Sequence, residues 1–385
     1  MTSRTFTGRI PELDGLRGIA IALVLVCHGV VGPFKGLPGT FASHAVRLCS
    51  LTWSGVDLFF VLSGFLIGGI LLDAKSSPHF FQTFYIRRAF RILPLYAVIS
   101  MAPLLLMFTS PRLSHIAYAM IGHPLPWYVS ALFGQNLWFA FSGGWGNIFL
   151  SVTWSLAVEE QFYLTLPFIV RKVSTGTLLR LSVITIVTAP FIRLFAARFV
   201  GPLAPFTLVR FDALMFGVLA AIAVRRAGTS DVFGRHTRVL LTGSATLLGT
   251  ALLIFIERGW GSESLAMNTV GFSALAAFYC CLLLLAIAPR DNPFRALLRC
   301  KPLMKLGTLA YCVYLVHLPV LSGTCWLLTH HGPHLERLKD FGPLLLGLAL
   351  TVGIAAISWR YFEQPLIAAG HRFRYKTLSV AAHAD

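Results

Sequence analysis

The chain is 385 residues long, 56% hydrophobic and only 12% charged, with a mean hydropathy of +0.74. Soluble domains carry roughly 25% charged residues, so this composition excludes an ordinary water-soluble domain and points to a polytopic membrane protein. The net charge of +17 does not mark a nucleic-acid binder, because the basic residues fall in short clusters between apolar runs and no zinc-finger, basic-zipper or comparable motif accompanies them.

The opening stretch "MTSRTFTGRIPELDGLRG" is polar for too long to be a cleavable signal peptide. Runs of about 20 apolar residues, the length of a transmembrane helix, are expected at 18–34, 53–72, 92–109, 148–170, 178–198, 207–224, 238–257, 264–288, 306–329 and 341–362. A further stretch at 125–143 is aromatic-rich and broken by Gly134, Gln135 and Asn136. If it stays a re-entrant or half-embedded segment, alternation of the ten spans gathers most of the 32 Lys and Arg on one side, as the positive-inside rule requires. If it crosses, every later basic cluster flips outward. The expected architecture is therefore an all-α polytopic integral membrane protein with ten transmembrane helices, the 125–143 segment half-embedded, and both termini cytoplasmic. No internal repeat or long linker divides it, so residues 1–385 form one unit with a short basic tail at 366–385. Seven cysteines, without any CxxC spacing, mark neither a disulfide framework nor a metal site, and no metal is expected.

Polar residues inside apolar runs carry the functional signal, since each is expensive in hydrocarbon. His28 sits in "GIAIALVLVCHGVV", eleven residues after Arg17. At 3.6 residues per turn the two share one face, roughly 16 Å apart. Asp57, near one end of the second span, must be paired or face water. In "FYIRRAFRILP", Arg87, Arg88 and Arg91 lie within about one turn, a geometry suited to clamping phosphates as well as to anchoring the helix. In "WSLAVEEQFY", Ser155, Glu159 and Tyr163 share a face and Glu160 points about 100° away. A salt bridge to Arg193 or Arg210 accounts for one of these carboxylates but not both, which points to a polar cavity. Asp212 is expected to pair with the nearby Arg210. His317 in "YLVHLP" reads more readily as a structural hydrogen-bonder, Glu363 as interfacial, and Trp127, Trp138 and Trp145 as interface anchors that could also stack on sugar rings.

Seven blocks, "PELDGLRGIAIALVLVCH", "GVDLFFVLSGFLI", "YIRRAFRILPLY", "TWSLAVEEQFYLTLP", "RFDALMFGVLAA", "LGTLAYCVYLVHLPV" and "WRYFEQP", resemble in order the signatures of the acyltransferase-3 family over about residues 11–365. The resemblance implies a ten-helix core in a bacterial inner membrane and transfer of an acyl group, usually acetyl, from cytosolic acyl-CoA to a hydroxyl of a carbohydrate or glycosylated acceptor. Acyl-CoA is a co-substrate, and no permanently bound cofactor is expected. The resemblance also implies an arginine–histidine pair on the first helix, here Arg17 and His28. Longer relatives carry a periplasmic hydrolase-like domain, and in this chain the catalysis is expected from the membrane unit alone.

On that footing His28 is the candidate base, oriented by Glu159 or Glu160. Tyr163, Ser63 and Trp154 are candidate oxyanion donors, with Asp57 and Arg210 in support. Arg17, Arg87, Arg88 and Arg91 are candidates for the nucleotide end of CoA. A transporter or flippase is the alternative, disfavoured because no paired inverted repeat is visible.

Overall fold

The computed structural model describes residues 10–36, 40–109, 125–142, 144, 146–199, 205–226, 236–257, 264–288 and 292–375. The outermost residues and Trp145 lie outside that set, and with them the expected tail from 376 onward. Among the described residues there is no strand, and a long helix stands at each of the ten stretches where a span is expected.

In chain order these are α1 (Pro11–Val26), α2 (Phe41–Leu48), α3 (Gly55–Asp73), α4 (Phe80–Thr109), α5 (Trp127–Ala131), α6 (Gln135–Ser142), α7 (Trp154–Lys172), α8 (Thr175–Ala196), α9 (Phe211–Arg225), α10 (Thr237–Glu257), α11 (Phe272–Ile287), α12 (Pro293–Leu298), α13 (Lys301–Thr329), α14 (Phe341–Ser358) and α15 (Gln364–Gly370). A π turn at Cys27–Val31 continues α1, and another at Trp359–Glu363 joins α14 to α15.

Seven helical stretches among the described residues are long and apolar enough to cross a membrane. The long helices outside these seven are α4, α7 and α9. Helix α9 has 15 residues; α4 carries Arg87, Arg88 and Arg91 near its start, and α7 carries Glu159, Glu160, Arg171 and Lys172. Helix α9 packs in the middle of the molecule, most of its residues buried, whereas α4 presents Val98, Met101 and Leu105, and α7 Leu164 and Phe168, to the surroundings. Helices α8 and α14 are outermost, with Ile184, Val187 and Phe191 on α8 and Leu345 and Ile357 on α14 exposed.

The 125–143 segment forms the two short helices α5 and α6, parted by a turn in which Phe133 takes φ +52°. The eight residues of α6 reach only about 12 Å, too short to cross. A buried polar network seats the segment: Gln135 Nε2 donates to the Tyr96 hydroxyl at 3.2 Å and to the Thr153 carbonyl at 3.1 Å, and Gln161 Nε2 donates to Asn136 Oδ1 at 2.9 Å.

Two glycine contacts set the registers of the bundle. Helices α1 and α13 run parallel, and a Cβ on Gly307 would overlap the Asp14 carbonyl while one on Gly18 would overlap the Leu303 carbonyl. Between α3 and α9, Gly64 meets the Leu214 carbonyl and Gly217 the Val61 carbonyl in the same way. Small residues let backbones approach where hydrophobic driving force is absent.

The ion pairs differ from expectation in one respect. Asp212 pairs with Arg193 at 2.9 Å rather than with Arg210, and Arg210 pairs with Asp57 at 2.5 Å. The reason is spatial: α3 lies against α9, so Asp57 meets Arg210 at the start of α9, while Asp212 turns towards α8. All four side chains are at most 2% exposed, so neither arginine is left to serve Glu159 or Glu160.

Overpacking a close helix contact typically costs about 1–3 kcal/mol. Gly307→Val is expected to lower the unfolding temperature of the detergent-solubilised protein by several degrees, whereas Gly353→Val, where a Cβ meets nothing within 4 Å, leaves it unchanged. Equal unfolding temperatures would contradict the register assigned to α1 and α13.

Candidate active site

A cavity of about 320 Å³ runs between α1, α3, α4, α7, α13 and the α14–α15 junction. Its lining on α3 extends from Ile70 to Phe59, a depth of about 16 Å by helix rise. Three levels can be distinguished along it.

The mouth is basic. Arg17, Arg88 and Arg91 converge there with Trp359, Glu363 and His371. Arg17 is braced by Asp14 at 2.9 Å. Burial, together with the guanidinium groups of Arg87, Arg91 and Arg88, holds the His371 imidazole below its ordinary range, so it adds no charge of its own near neutral pH. The mouth thus presents guanidinium donors in excess of the carboxylates beside them, an arrangement that attracts a polyanion.

The middle is a hydroxyl–carboxyl chain. Tyr163 donates to Glu159 Oε2 at 3.1 Å and accepts from Ser63, while the Arg88 guanidinium lies over the Tyr163 ring, 5.7 Å from its centroid.

The deep end is closed by Phe59, Ser155 and Tyr314. The Tyr314 hydroxyl donates to the Val152 carbonyl at 2.9 Å and shares a 2.7 Å hydrogen bond with Ser155. One helical turn further along α13 lies His317, its ring centroid 5.9 Å from that of Tyr314. Its Nε2 stands 3.0 Å from Nδ1 of His28. His317 is wholly buried; His28 is only partly so.

Of the residues singled out from sequence, the fold brings Arg17, Arg88, Arg91, Ser63, Glu159 and Tyr163 into this one cavity, with His28 just past its end. Others lie elsewhere. Arg87 turns away to donate to the Phe373 carbonyl at 2.8 Å and lies over Tyr375. Trp154 sets its ring against Phe60. Asp57 and Arg210 form the buried pair described above. Glu160 faces away from the cavity, with Oε1 buried and without a hydrogen-bond partner. His28 is therefore hydrogen-bonded to His317, while Glu159 is engaged by Tyr163.

Tyr314 and Tyr311 are the candidate site residues that sequence reasoning passed over, and His317, read there as a structural hydrogen-bonder, makes such bonds to the Val313 and Tyr314 carbonyls and to His28. A signal existed: Gly307, Tyr311 and Tyr314 follow the spacing of one helix face, and His317 extends it by one turn.

Residues 10–361 match the acyltransferase-3 family, described as an acyltransferase domain. The chain belongs to this family. Among its relatives, the peptidoglycan O-acetyltransferase OatA of Listeria monocytogenes is 27% identical over 382 residues, covering 95% of this chain and 57% of the relative. The O-acetyltransferase OatA of Staphylococcus aureus is 24% identical, covering 94% and 58%. A putative peptidoglycan O-acetyltransferase of Bacillus subtilis, YrhL, is 26% identical, covering 94% and 56%. The chain thus spans a little under three fifths of the length of these relatives. No solved structure matches.

Breaking a buried ion pair by removing one partner costs about 3–5 kcal/mol, because the other charge is stranded. Asp57→Asn is expected to lower thermal stability in detergent far more than Arg87→Ala, whose side chain meets only the C-terminal segment. Equal stabilities for the two variants would contradict a buried Asp57–Arg210 pair that carries structure rather than chemistry.

Proposed function

We propose that this acyltransferase moves an acetyl group from acetyl-CoA, entering at the basic mouth, to a hydroxyl of a cell-envelope carbohydrate. Peptidoglycan sugar is the first candidate, by analogy with the relatives' names. The observation that carries the reading is a cavity with three guanidinium groups at its mouth and a histidine pair one turn beyond its deep end.

A CoA head group carries phosphates, and guanidinium groups bind phosphates bidentately. Arg17, Arg88 and Arg91 are the residues suited to that task. The pantetheine arm is long, thin and mostly neutral, and the cavity beyond the arginines is narrow and lined by Leu62, Leu66, Ile67 and Ile92 with few charges. Its depth of about 16 Å by helix rise brings a thioester to Tyr314 and Ser155.

The chemistry then follows from the groups at that end. Neutral His28 takes the proton of the acceptor hydroxyl as the oxygen attacks the thioester carbonyl. Tyr314 and Ser155 are the hydroxyls nearest to where the carbonyl oxygen gains charge, and they serve as its donors by turning their single hydrogens from the Val152 carbonyl and from each other towards it. The carbon–sulfur bond breaks, and the departing CoA thiolate takes the proton held by His28. The ester remains on the sugar.

His28 stands three residues before the end of its helical run at Val31, at the opposite end of the bundle from the arginines. Donor and acceptor would therefore arrive from opposite sides. With the basic end cytosolic, as the positive-inside rule favours, the reading places ten crossings in the inner membrane and both chain ends in the cytoplasm.

Purified protein in liposomes with radiolabelled acetyl-CoA and a panel of glycans tests this. Label is expected on a carbohydrate, with His28→Ala losing about 10²–10⁴-fold in rate. Arg88→Ala and Arg91→Ala are each expected to raise KM for acetyl-CoA about tenfold, the equivalent of 1.4 kcal/mol, and Arg87→Ala to leave it within about twofold, since a side chain away from the cavity removes no transition-state or ground-state contact. Substrate crossing the bilayer without label transfer would contradict the reading.

A further inference from the structure

The two histidines meet because of a register set far below them. Gly18 on α1 and Gly307 on α13 are the closest points of two parallel helices. Ten residues further along each helix stand His28 and His317. Beyond the histidines the chain is tied again: the Leu335 amide donates to the Pro33 carbonyl at 2.9 Å and the Lys35 amide to the Leu335 carbonyl at 3.0 Å. The imidazoles are thus held between two fixed points, with ring centroids 4.9 Å apart.

The hydrogen-bond pattern then determines where the protons sit. Nδ1 of His317 lies 2.7 Å from the Tyr314 carbonyl oxygen and 3.2 Å from that of Val313. Carbonyl oxygens only accept, so this nitrogen carries a hydrogen. A neutral imidazole has one donor and one acceptor nitrogen, which makes Nε2 of His317 an acceptor. The atom facing it at 3.0 Å, Nδ1 of His28, must therefore be the donor. That leaves Nε2 of His28 with its lone pair free.

We infer that His317 is a positioning residue that imposes the Nδ1–H tautomer on His28, so that Nε2 is the nitrogen presented to the acceptor hydroxyl. The inference rests on the O-acetyl-transfer reading above and adds which nitrogen acts and what sets it. His317 does for His28 what a carboxylate does for the histidine of a catalytic triad: it fixes orientation and tautomer through the far nitrogen. Unlike a carboxylate it brings no charge into hydrocarbon, where an unpaired carboxylate would be expensive. Once Nε2 holds the acceptor's proton, the hydrogen bond from Nδ1 becomes charge-assisted and stronger, so the pair favours the protonated intermediate over the resting state.

Two measurements test this, one of them independent of turnover. In the first, ¹⁵N-histidine spectra of the wild-type protein, with His28→Ala and His317→Gln used for assignment, should show both His28 and His317 protonated at Nδ1. A His28 ring protonated at Nε2 instead would overturn the inference. In the second, His317→Leu should lose about 10²–10⁴-fold in kcat, the range for a misoriented or wrong-tautomer base, with KM for acetyl-CoA unchanged. His317→Gln, whose side-chain oxygen can still accept from Nδ1 of His28, should recover most of that loss. Matching unfolding temperatures for the two variants separate positioning from a folding defect, and if His317→Leu fails to fold, the spectra and the Gln variant decide. An active wild type with an inactive His28→Ala but a fully active His317→Leu would overturn the inference while leaving acetyl transfer intact. A wild type that labels no glycan would remove the functional reading, and the nitrogen spectra alone would then decide.

Discussion

Hydrocarbon gives a charged or hydrogen-bonding side chain nothing to bond to, so each polar group carried into this bundle has to find its partner inside the protein. Two populations result. One forms ion pairs away from the cavity: Asp57 with Arg210 and Asp212 with Arg193 are almost fully buried, and Ser273 joins the second pair by donating to Asp212 at 2.6 Å. The other population lines a cavity and is only partly satisfied by its own members. At its mouth Arg17, Arg88 and Arg91 stand beside the Asp14 and Glu363 carboxylates. The first population fixes which helices touch; the second is left facing space.

Much of this was legible in the sequence. Apolar length placed a helix at each of the ten stretches where one stands, and the break at Gly134 separated α5 from α6. Polar residues in apolar runs marked the cavity before its shape was known, because their expense in lipid is a property of the residue and not of the fold. Spacing along one helix placed Ser155, Glu159 and Tyr163 on a shared face, and all three line the cavity. Spacing likewise separated Glu160, which points elsewhere.

What the sequence hid was pairing between helices. Periodicity says which face of a helix is polar but not which neighbour that face meets. His28 and His317 are 289 residues apart, and Asp57 and Arg210 are 153 apart. The partners assumed from local proximity were therefore displaced: Arg210 went to Asp57 rather than to Asp212, and His28 found an imidazole rather than a carboxylate. Arg87 illustrates a related limit. It sits in the same cluster as Arg88 and Arg91, yet it lies about 100° round the helix from Arg88 and donates to the C-terminal segment.

Taken together, the geometry describes a cavity that begins among arginines and stops against two hydroxyls, with a histidine pair on the far side. The proposed acetyl transfer requires that a CoA thioester occupy that cavity. The most direct measurement is a structure of the protein in nanodiscs with a non-transferable thioether analogue of acetyl-CoA. The expected result has the phosphates on Arg17, Arg88 and Arg91 and the acyl carbonyl against Tyr314, within reach of His28. A nucleotide bound outside the α1–α4–α13 mouth, or an acyl group that ends short of Tyr314, would contradict it.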